Sequence, residues 1–203
     1  MAKRGDELRE HMLWVAKDVF LEVGFERASM DVIAARAATS KRTLYAHFEN
    51  KEKLYLAVVE LVHGLFLSTL KMPSDYPGDI AETLTMFCGR FLEIMLCAPT
   101  IRMCRMNIAE AERFPEGSAQ YFNVGFSAVH ERLSDYLKKT FGLSAEASGE
   151  AAQQLVGRVL YPRFLRALFG VDELSEQLDE EAIRADFDLE PVRKAVAQLI
   201  ESL

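Results

Sequence analysis

The chain has 203 residues, half of them hydrophobic, and a net charge of −7. This length allows one large domain or two small ones and supports a hydrophobic core without disulfides or metals. Three cysteines without CxxC spacing argue against a disulfide framework, and no apolar run is long enough to span a membrane. The first residues also lack the apolar stretch of a signal peptide, so we expect a cytoplasmic protein without membrane contact.

The charge is unevenly distributed along the chain. Residues 1–55 carry 10 Lys and Arg against 9 Asp and Glu, a net charge of +1. Residues 56–203 carry 14 against 22, a net charge of −8. Because acidic surface repels a DNA duplex, only the N-terminal part is approachable for nucleic acid.

The first predicted helix runs from Asp6 or Glu7 to Val23, because apolar residues recur there at helical spacing. Gly24 is expected to end it, since glycine readily adopts the left-handed conformation that follows many helices. Two short helices joined by a tight turn are predicted next, with Ser29 and Ser40 as their N-caps. The residues expected to face the core from these two helices are Met30, Ile33, Ala37, Leu44 and Phe48.

Polar side chains occupy the outward face of the second short helix, which has the size of a helix that enters a DNA major groove. Lys41 and Arg42 could donate to guanine edges or phosphates, and Thr43 could contact a thymine methyl group or a phosphate. The residues expected to hold phosphates are Ser29, Tyr45, His47 and Lys51. By itself, the pattern is also typical of an ordinary exposed helix face.

A series of short words over about residues 8–61 adds a family resemblance. The words are Val23-Gly24-Phe25, Ser29-Met30, Ile33-Ala34, Ser40-Lys41, Thr43-Leu44-Tyr45, His47-Phe48 and Lys51-Glu52. In this order and register they resemble the N-terminal DNA-binding domain of the tetracycline-repressor (TetR) family of regulators. The chain departs from the family at Arg42, where a glycine is usual, which adds a bulky cation at the groove.

The remaining chain also shows helical periodicity and turn signals, without a convincing strand. The predicted segments are a helix from Lys51 to about Leu70, a break at 72–78, helices over about 80–97, 100–113, 116–141 and 144–169, the last interrupted at Pro162, a solvated acidic connection over 171–188, and a helix over 191–203. The predicted fold is all-α, with a three-helix helix-turn-helix DNA-binding domain over residues 1–55. A helical effector-binding and dimerisation domain is expected over residues 56–203.

An effector pocket is expected in this second domain, mainly because of the resemblance. Methionine and aromatic side chains repack readily around apolar ligands, and a few polar groups would orient them. The candidate lining residues are Phe91, Met103, Arg105, Asn107, Phe122, Phe126 and Tyr161. The same composition also fits an ordinary helical core.

A homodimer interface is expected on the last two helices, which pair with their copies in proteins of the TetR type. The candidate interface residues are Leu155, Leu168, Val196 and Leu199, and purely intramolecular packing is the alternative. No metal-ligand spacing, catalytic constellation or cofactor motif is recognisable, so neither a metal nor a cofactor is expected. The favoured reading is therefore a homodimeric repressor of double-stranded operator DNA that a small effector releases. One alternative is a helical binding protein whose N-terminal part contacts other proteins and has no operator. The other is an all-α enzyme.

Overall fold

The computed structural model describes the chain except Met1 and Glu180, together with all side chains but those of residues 2–4 and 124. The described residues form helices and no strand, which confirms the all-α prediction. The helices are α1 (Ala2–Arg27), α2 (Met30–Arg36), α3 (Lys41–Phe48), α4 (Lys51–Thr69), α5 (Ile80–Met95), α6 (Ala98–Ala109), α7 (Pro115–Phe122), α8 (Ala128–Phe141), α9 (Ala145–Leu160), α10 (Arg163–Leu168) and α11 (Glu190–Ser202). A 3₁₀ turn spans Pro73–Asp75, and a π-helix over Asn123–Ser127 joins α7 to α8.

Several predicted helix ends are confirmed. Gly24 interrupts α1 with a φ of 78°, and Gly142 follows α8 with a φ of 67°. The side chain of Asp79 accepts the Glu82 N–H at 2.9 Å at the start of α5. The predicted interruption at Pro162 separates α9 from α10.

The packing divides the chain into two compact units. The first consists of Met1–Leu65 and Arg102–Phe122, and the second of Phe66–Ile101 and Asn123–Leu203. The predicted domain boundary at residues 55 and 56 lies inside α4, which the packing divides after Leu65. The first unit therefore contains most of α6 and all of α7 besides the N-terminal helices.

In the second unit, α5 is the central helix. It packs against α9 and α11, and α8 packs against α9. The residues of α5 from Thr83 to Met95 are buried, except the half-buried Met86, because neighbours cover almost all of this helix. Among the described residues, no single helix is long and apolar enough to cross a membrane, and only the bent pair of α5 with α6 passes such a test together.

The segment after α10 differs from the predicted solvated connection, because buried charges on α5 anchor it. Arg90 and Glu93 are only 2% and 4% exposed, and their side chains pair at 2.8 Å. The Arg90 guanidinium also donates to the Ala182 carbonyl at 2.8 Å and to the Asp179 carbonyl. Glu93 accepts the backbone N–H of Arg184 at 2.9 Å. The two side chains thus hold Asp179, Ala182 and Arg184 against α5.

We expect Arg90→Met to destabilise the protein by about 3–5 kcal/mol, because it removes the nearest cation from the buried Glu93 carboxylate, leaving only Arg184 at 3.7 Å. The free energy of unfolding in urea measures this cost. Arg193→Met is the matched control, since Arg193 pairs at 2.7 Å with Glu82 on the surface of the same unit, where a pair contributes about 0–1 kcal/mol. Equal losses in the two variants would contradict the anchoring role of Arg90.

Candidate DNA-binding surface

The helix-turn-helix geometry follows directly from local sequence. The Ser29 hydroxyl accepts the Val32 N–H at 3.2 Å at the start of α2. The Ser40 hydroxyl accepts the Thr43 N–H at 3.0 Å at the start of α3. Such N-caps satisfy backbone donors that have no partner in the helix. Both predicted caps are confirmed.

Apolar side chains fasten both short helices to the first unit. Those predicted to face its core are all buried: Met30, Ile33, Ala37, Leu44 and Phe48. Leu44 and Phe48 lie four residues apart on α3, so they fix which side of this helix faces the core. The opposite side of α3 is therefore turned to solvent.

The predicted reading residues lie on this solvent-facing side. Lys41, Arg42, Tyr45 and His47 are exposed, and Thr43 is half-buried. The Thr43 hydroxyl lies 2.7 Å from the hydroxyl of Ser40. Arg42 makes no hydrogen bond or ion pair with any residue that the structure describes, so its guanidinium is available to a ligand.

The first unit also contains two ion pairs that were not predicted from the sequence. Asp31 of α2 holds the Lys41 ammonium, with the nearest oxygen 2.7 Å from Nζ. The hydrogen bond and the attraction of Asp31 raise the pKa of Lys41. Glu22 of α1 similarly pairs with Arg36 at 2.5 Å. The ten-residue separation of Asp31 from Lys41 hides their contact in the sequence.

The structure gives Lys51 a different role from the predicted phosphate contact. Its ammonium donates to three backbone carbonyls near the end of α1: Phe25 at 2.9 Å, Glu26 at 3.1 Å and Ala28 at 3.2 Å. It also lies 4.5 Å from the centre of the Phe25 ring. An ammonium has three donors, so none remains for a phosphate. Lys51 instead satisfies carbonyls at a helix end.

The predicted effector-contacting residues are distributed over both units. In the first unit Met103 and Asn107 are buried, whereas Arg105 and Phe122 are exposed. In the second unit Phe91 is buried, Phe126 is half-buried and Tyr161 is 69% exposed. The side chains of Arg105, Phe122 and Tyr161 are therefore largely turned to solvent in the single chain.

Two of these residues stand in defined contacts of their own units. Asn107 accepts a hydrogen bond from the Tyr55 hydroxyl at 2.7 Å and donates to the Met103 carbonyl at 2.8 Å. Phe91 packs edge-to-face against Phe66, with ring centres 6.4 Å apart. Sequence reasoning missed the partner Tyr55, which is 52 residues away along the chain.

The second unit contains a cavity of about 360 Å³, lined by α5, α10 and the segment 172–188. Its walls include Glu93, Arg163 and Arg184, and none of the seven predicted effector residues lines it. This cavity is charged, unlike the apolar pocket predicted from the sequence.

The predicted interface residues mostly face the interior of the protomer. Leu155, Val196 and Leu199 are at most 2% exposed, and only Leu168 is half-buried. They fill the contact of α9 and α11 with the core of the second unit. The apolar side chains that the α9–α10 region exposes are different ones: Tyr161 at 69%, Leu165 at 44% and Phe169 at 82%.

The chain matches two family models. Residues 13–58 match the model of bacterial regulatory proteins of the tetR family. Residues 82–189 match the C-terminal domain of AefR-like transcriptional repressors. The two matches together cover the helix-turn-helix and most of the remaining helices.

Curated and solved relatives agree with these models. The HTH-type transcriptional activator FasR of Mycolicibacterium smegmatis is 49% identical over 152 residues, which cover 74% of this chain and 68% of FasR. The structure of a TetR-family transcriptional regulator from Mesorhizobium loti matches with a TM-score of 0.79 and 22% identity over 98% of each chain. The flavonoid-responsive regulator FrrA matches with a TM-score of 0.74 and 24% identity over 97% of this chain and 95% of its own.

The identity to FasR establishes the family, and the solved structures share the fold. Within the first unit, the buried faces of α2 and α3 leave the opposite side of α3 exposed to solvent. The chain therefore belongs to the TetR family and is a DNA-binding transcriptional regulator, not an enzyme.

Proposed function

We propose that the protein is a repressor that binds a palindromic operator as a homodimer and is released by a small, mainly apolar effector. The observation that carries the DNA part is the exposed face of α3, held by Leu44 and Phe48. The match of residues 82–189 to AefR-like repressors supports repression. We assign DNA binding to residues 1–55, and effector binding and dimerisation to residues 56–203. The separate family matches of residues 13–58 and 82–189 support this assignment.

Activation is the second candidate, because a relative 49% identical over 152 residues is named an activator. A reporter behind a promoter that the purified protein binds separates the two modes. If the protein is a repressor, as we expect, reporter output should rise when its gene is deleted. If the protein is an activator, the same deletion should lower reporter output. The same two strains, with and without the gene, also test whether an effector releases the protein from its operator. Flavonoids are the first compounds to add, because a protein of similar fold is named flavonoid-responsive.

In the proposed complex, the N-terminal half of α3 enters the major groove. Arg42 donates to a guanine edge, and Thr43 offers its methyl group to thymine. The phosphates are held by Tyr45, His47 and Ser29, and these contacts set the position of the DNA-binding domain along the duplex. Lys51 is left out of this contact set because its donors are occupied by carbonyls at the end of α1.

We expect Arg42→Ala to weaken operator binding by about 1–3 kcal/mol, the cost of one lost base contact. Protein stability should hardly change, because the side chain is exposed and has no partner among the described residues. Fluorescence anisotropy with operator and scrambled duplexes at fixed salt measures the effect. Lys194→Ala on α11 is the charge-matched control, since Lys194 is 73% exposed. If Arg42→Ala binds like this control, the groove assignment of α3 fails.

The effector signal is proposed to pass through the end of α6 and the start of α7. Within the first unit, Phe114 stacks on Phe25 with ring centres 5.6 Å apart, and Arg113 pairs with Glu26 at 2.9 Å. The Tyr55–Asn107 hydrogen bond joins α6 to α4 beside these contacts. A ligand that favours another position of α6 would act on the head through them, provided that it binds the two states with different affinity.

The homodimer is proposed to form on the exposed apolar side chains of the α9–α10 region. Leu165 and Phe169 are 44% and 82% exposed, so a second copy would remove considerable apolar surface from water. A symmetric dimer whose two copies of α3 lay about 34–36 Å apart would suit successive major grooves of a palindromic operator.

We expect Phe169→Glu to convert dimers to monomers and to weaken operator binding, although residue 169 lies outside the DNA-binding head. Sedimentation at micromolar concentration measures the first effect, and the anisotropy assay the second. Ile108→Glu is the control, because Ile108 on α6 is 64% exposed and lies outside the proposed interface. A parent protein that sediments as a monomer would disprove the dimer. A dimeric Phe169→Glu variant would instead place the interface elsewhere.

A further inference from the structure

The two cations at the start of α3 have different surroundings. The Lys41 ammonium lies 2.7 Å from one carboxylate oxygen of Asp31 and donates to the other at 3.0 Å. The neighbouring Arg42 has no such partner among the described residues. Asp31 therefore neutralises one of the two charges that α3 would present to DNA.

This ion pair is solvent-exposed, with 59% of the Lys41 side chain and 65% of the Asp31 side chain accessible. An exposed ion pair contributes little to the free energy of unfolding. Its main consequence is that it limits the contacts that Lys41 can make with a ligand. A lysine that is already paired must break its contact before it can neutralise a phosphate. Breaking it also leaves the Asp31 carboxylate close to the DNA backbone, which is unfavourable.

Nonspecific DNA binding depends on phosphate neutralisation and the release of counterions. A restrained lysine therefore lowers nonspecific affinity and its salt dependence. On an operator, the contacts proposed for Arg42, Thr43 and Tyr45 fix the position of α3, and Lys41 stays paired with Asp31. On random sequence no such contacts fix α3, so a Lys41 released from Asp31 could neutralise a phosphate there. The restraint by Asp31 therefore weakens binding to random sequence more than binding to the operator.

We propose that Asp31 is a specificity-determining residue that limits nonspecific DNA binding by holding Lys41. The proposal rests on the assignment of α3 as the reading helix. It concerns an ion pair between α2 and α3. It gives an acidic residue a role on a surface where the other proposed DNA-contacting residues are cationic or donate hydrogen bonds.

The test is binding of the full-length protein to a random-sequence duplex, measured by fluorescence anisotropy between about 50 and 200 mM salt. Asp31→Asn should raise affinity for this duplex about three- to tenfold at the lowest salt and steepen the logarithmic salt slope by about 0.9, the value for one additional phosphate contact. Operator affinity should rise by less than this, so the ratio of specific to nonspecific affinity should fall. Thermal melting verifies that the variant is folded.

Two comparisons isolate the role of Lys41. Asp18→Asn removes the same charge from another Lys–Asp pair, in which the 62% exposed Asp18 lies 3.3 Å from Lys17 on α1, and should change affinity less than Asp31→Asn. In a Lys41→Met background, Asp31→Asn should lose most of its effect. An undiminished effect there would overturn the proposal, because it would show direct repulsion of DNA by Asp31.

The remaining outcomes separate this proposal from the function on which it rests. If Arg42→Ala lowers affinity but Asp31→Asn equals the parent, α3 reads DNA and the restraint by Asp31 is refuted. If neither variant differs from the parent, the assignment of α3 itself fails. An equal gain on operator and random duplexes would refute the specificity role.

Discussion

A buried hydrogen bond joins the last turns of α6 to α4 within the first unit. The Tyr55 hydroxyl donates to Asn107 at 2.7 Å inside an aromatic cluster that includes Phe25 and Phe114. Burial raises the pKa of Tyr55, while the bond to Asn107 opposes the shift, so this phenol stays protonated. Leaving either group unpaired in this environment would cost about 1–3 kcal/mol. The end of α6 therefore packs as a part of the first unit.

This arrangement explains why the compact units do not coincide with the functional regions. Residues 102–122 fall within the effector-binding domain predicted from the sequence, yet they pack with residues 1–65. A ligand that moves α6 must carry the head with it or break contacts such as Arg113 to Glu26. Under the proposed function, the first of these responses would change the position of α3.

The reading surface shows how intramolecular contacts select among apparently equivalent cations. Lys41, Arg42 and Lys51 lie within eleven residues and appear equally suited to DNA. In the folded chain, the Lys51 ammonium donates to backbone carbonyls and the Lys41 ammonium pairs with Asp31. Arg42 has no such partner among the described residues, so its guanidinium is available to a ligand. A positive charge contributes to phosphate binding only to the extent that the protein has not already neutralised it.

The sequence by itself determined the helical fold, the helix-turn-helix and the family, because these depend on local signals. The caps Ser29 and Ser40, the spacing of Leu44 and Phe48 and the glycine at position 24 act within a few residues of one another. Contacts between distant residues were decided only by the tertiary structure. Arg90 and Glu93 resemble exposed helix charges until the segment after α10 contacts them, and Leu155 and Leu199 resemble interface residues until the protomer buries them. Helical periodicity shows which residues share a face, but only packing decides whether the core, solvent or a second chain covers that face.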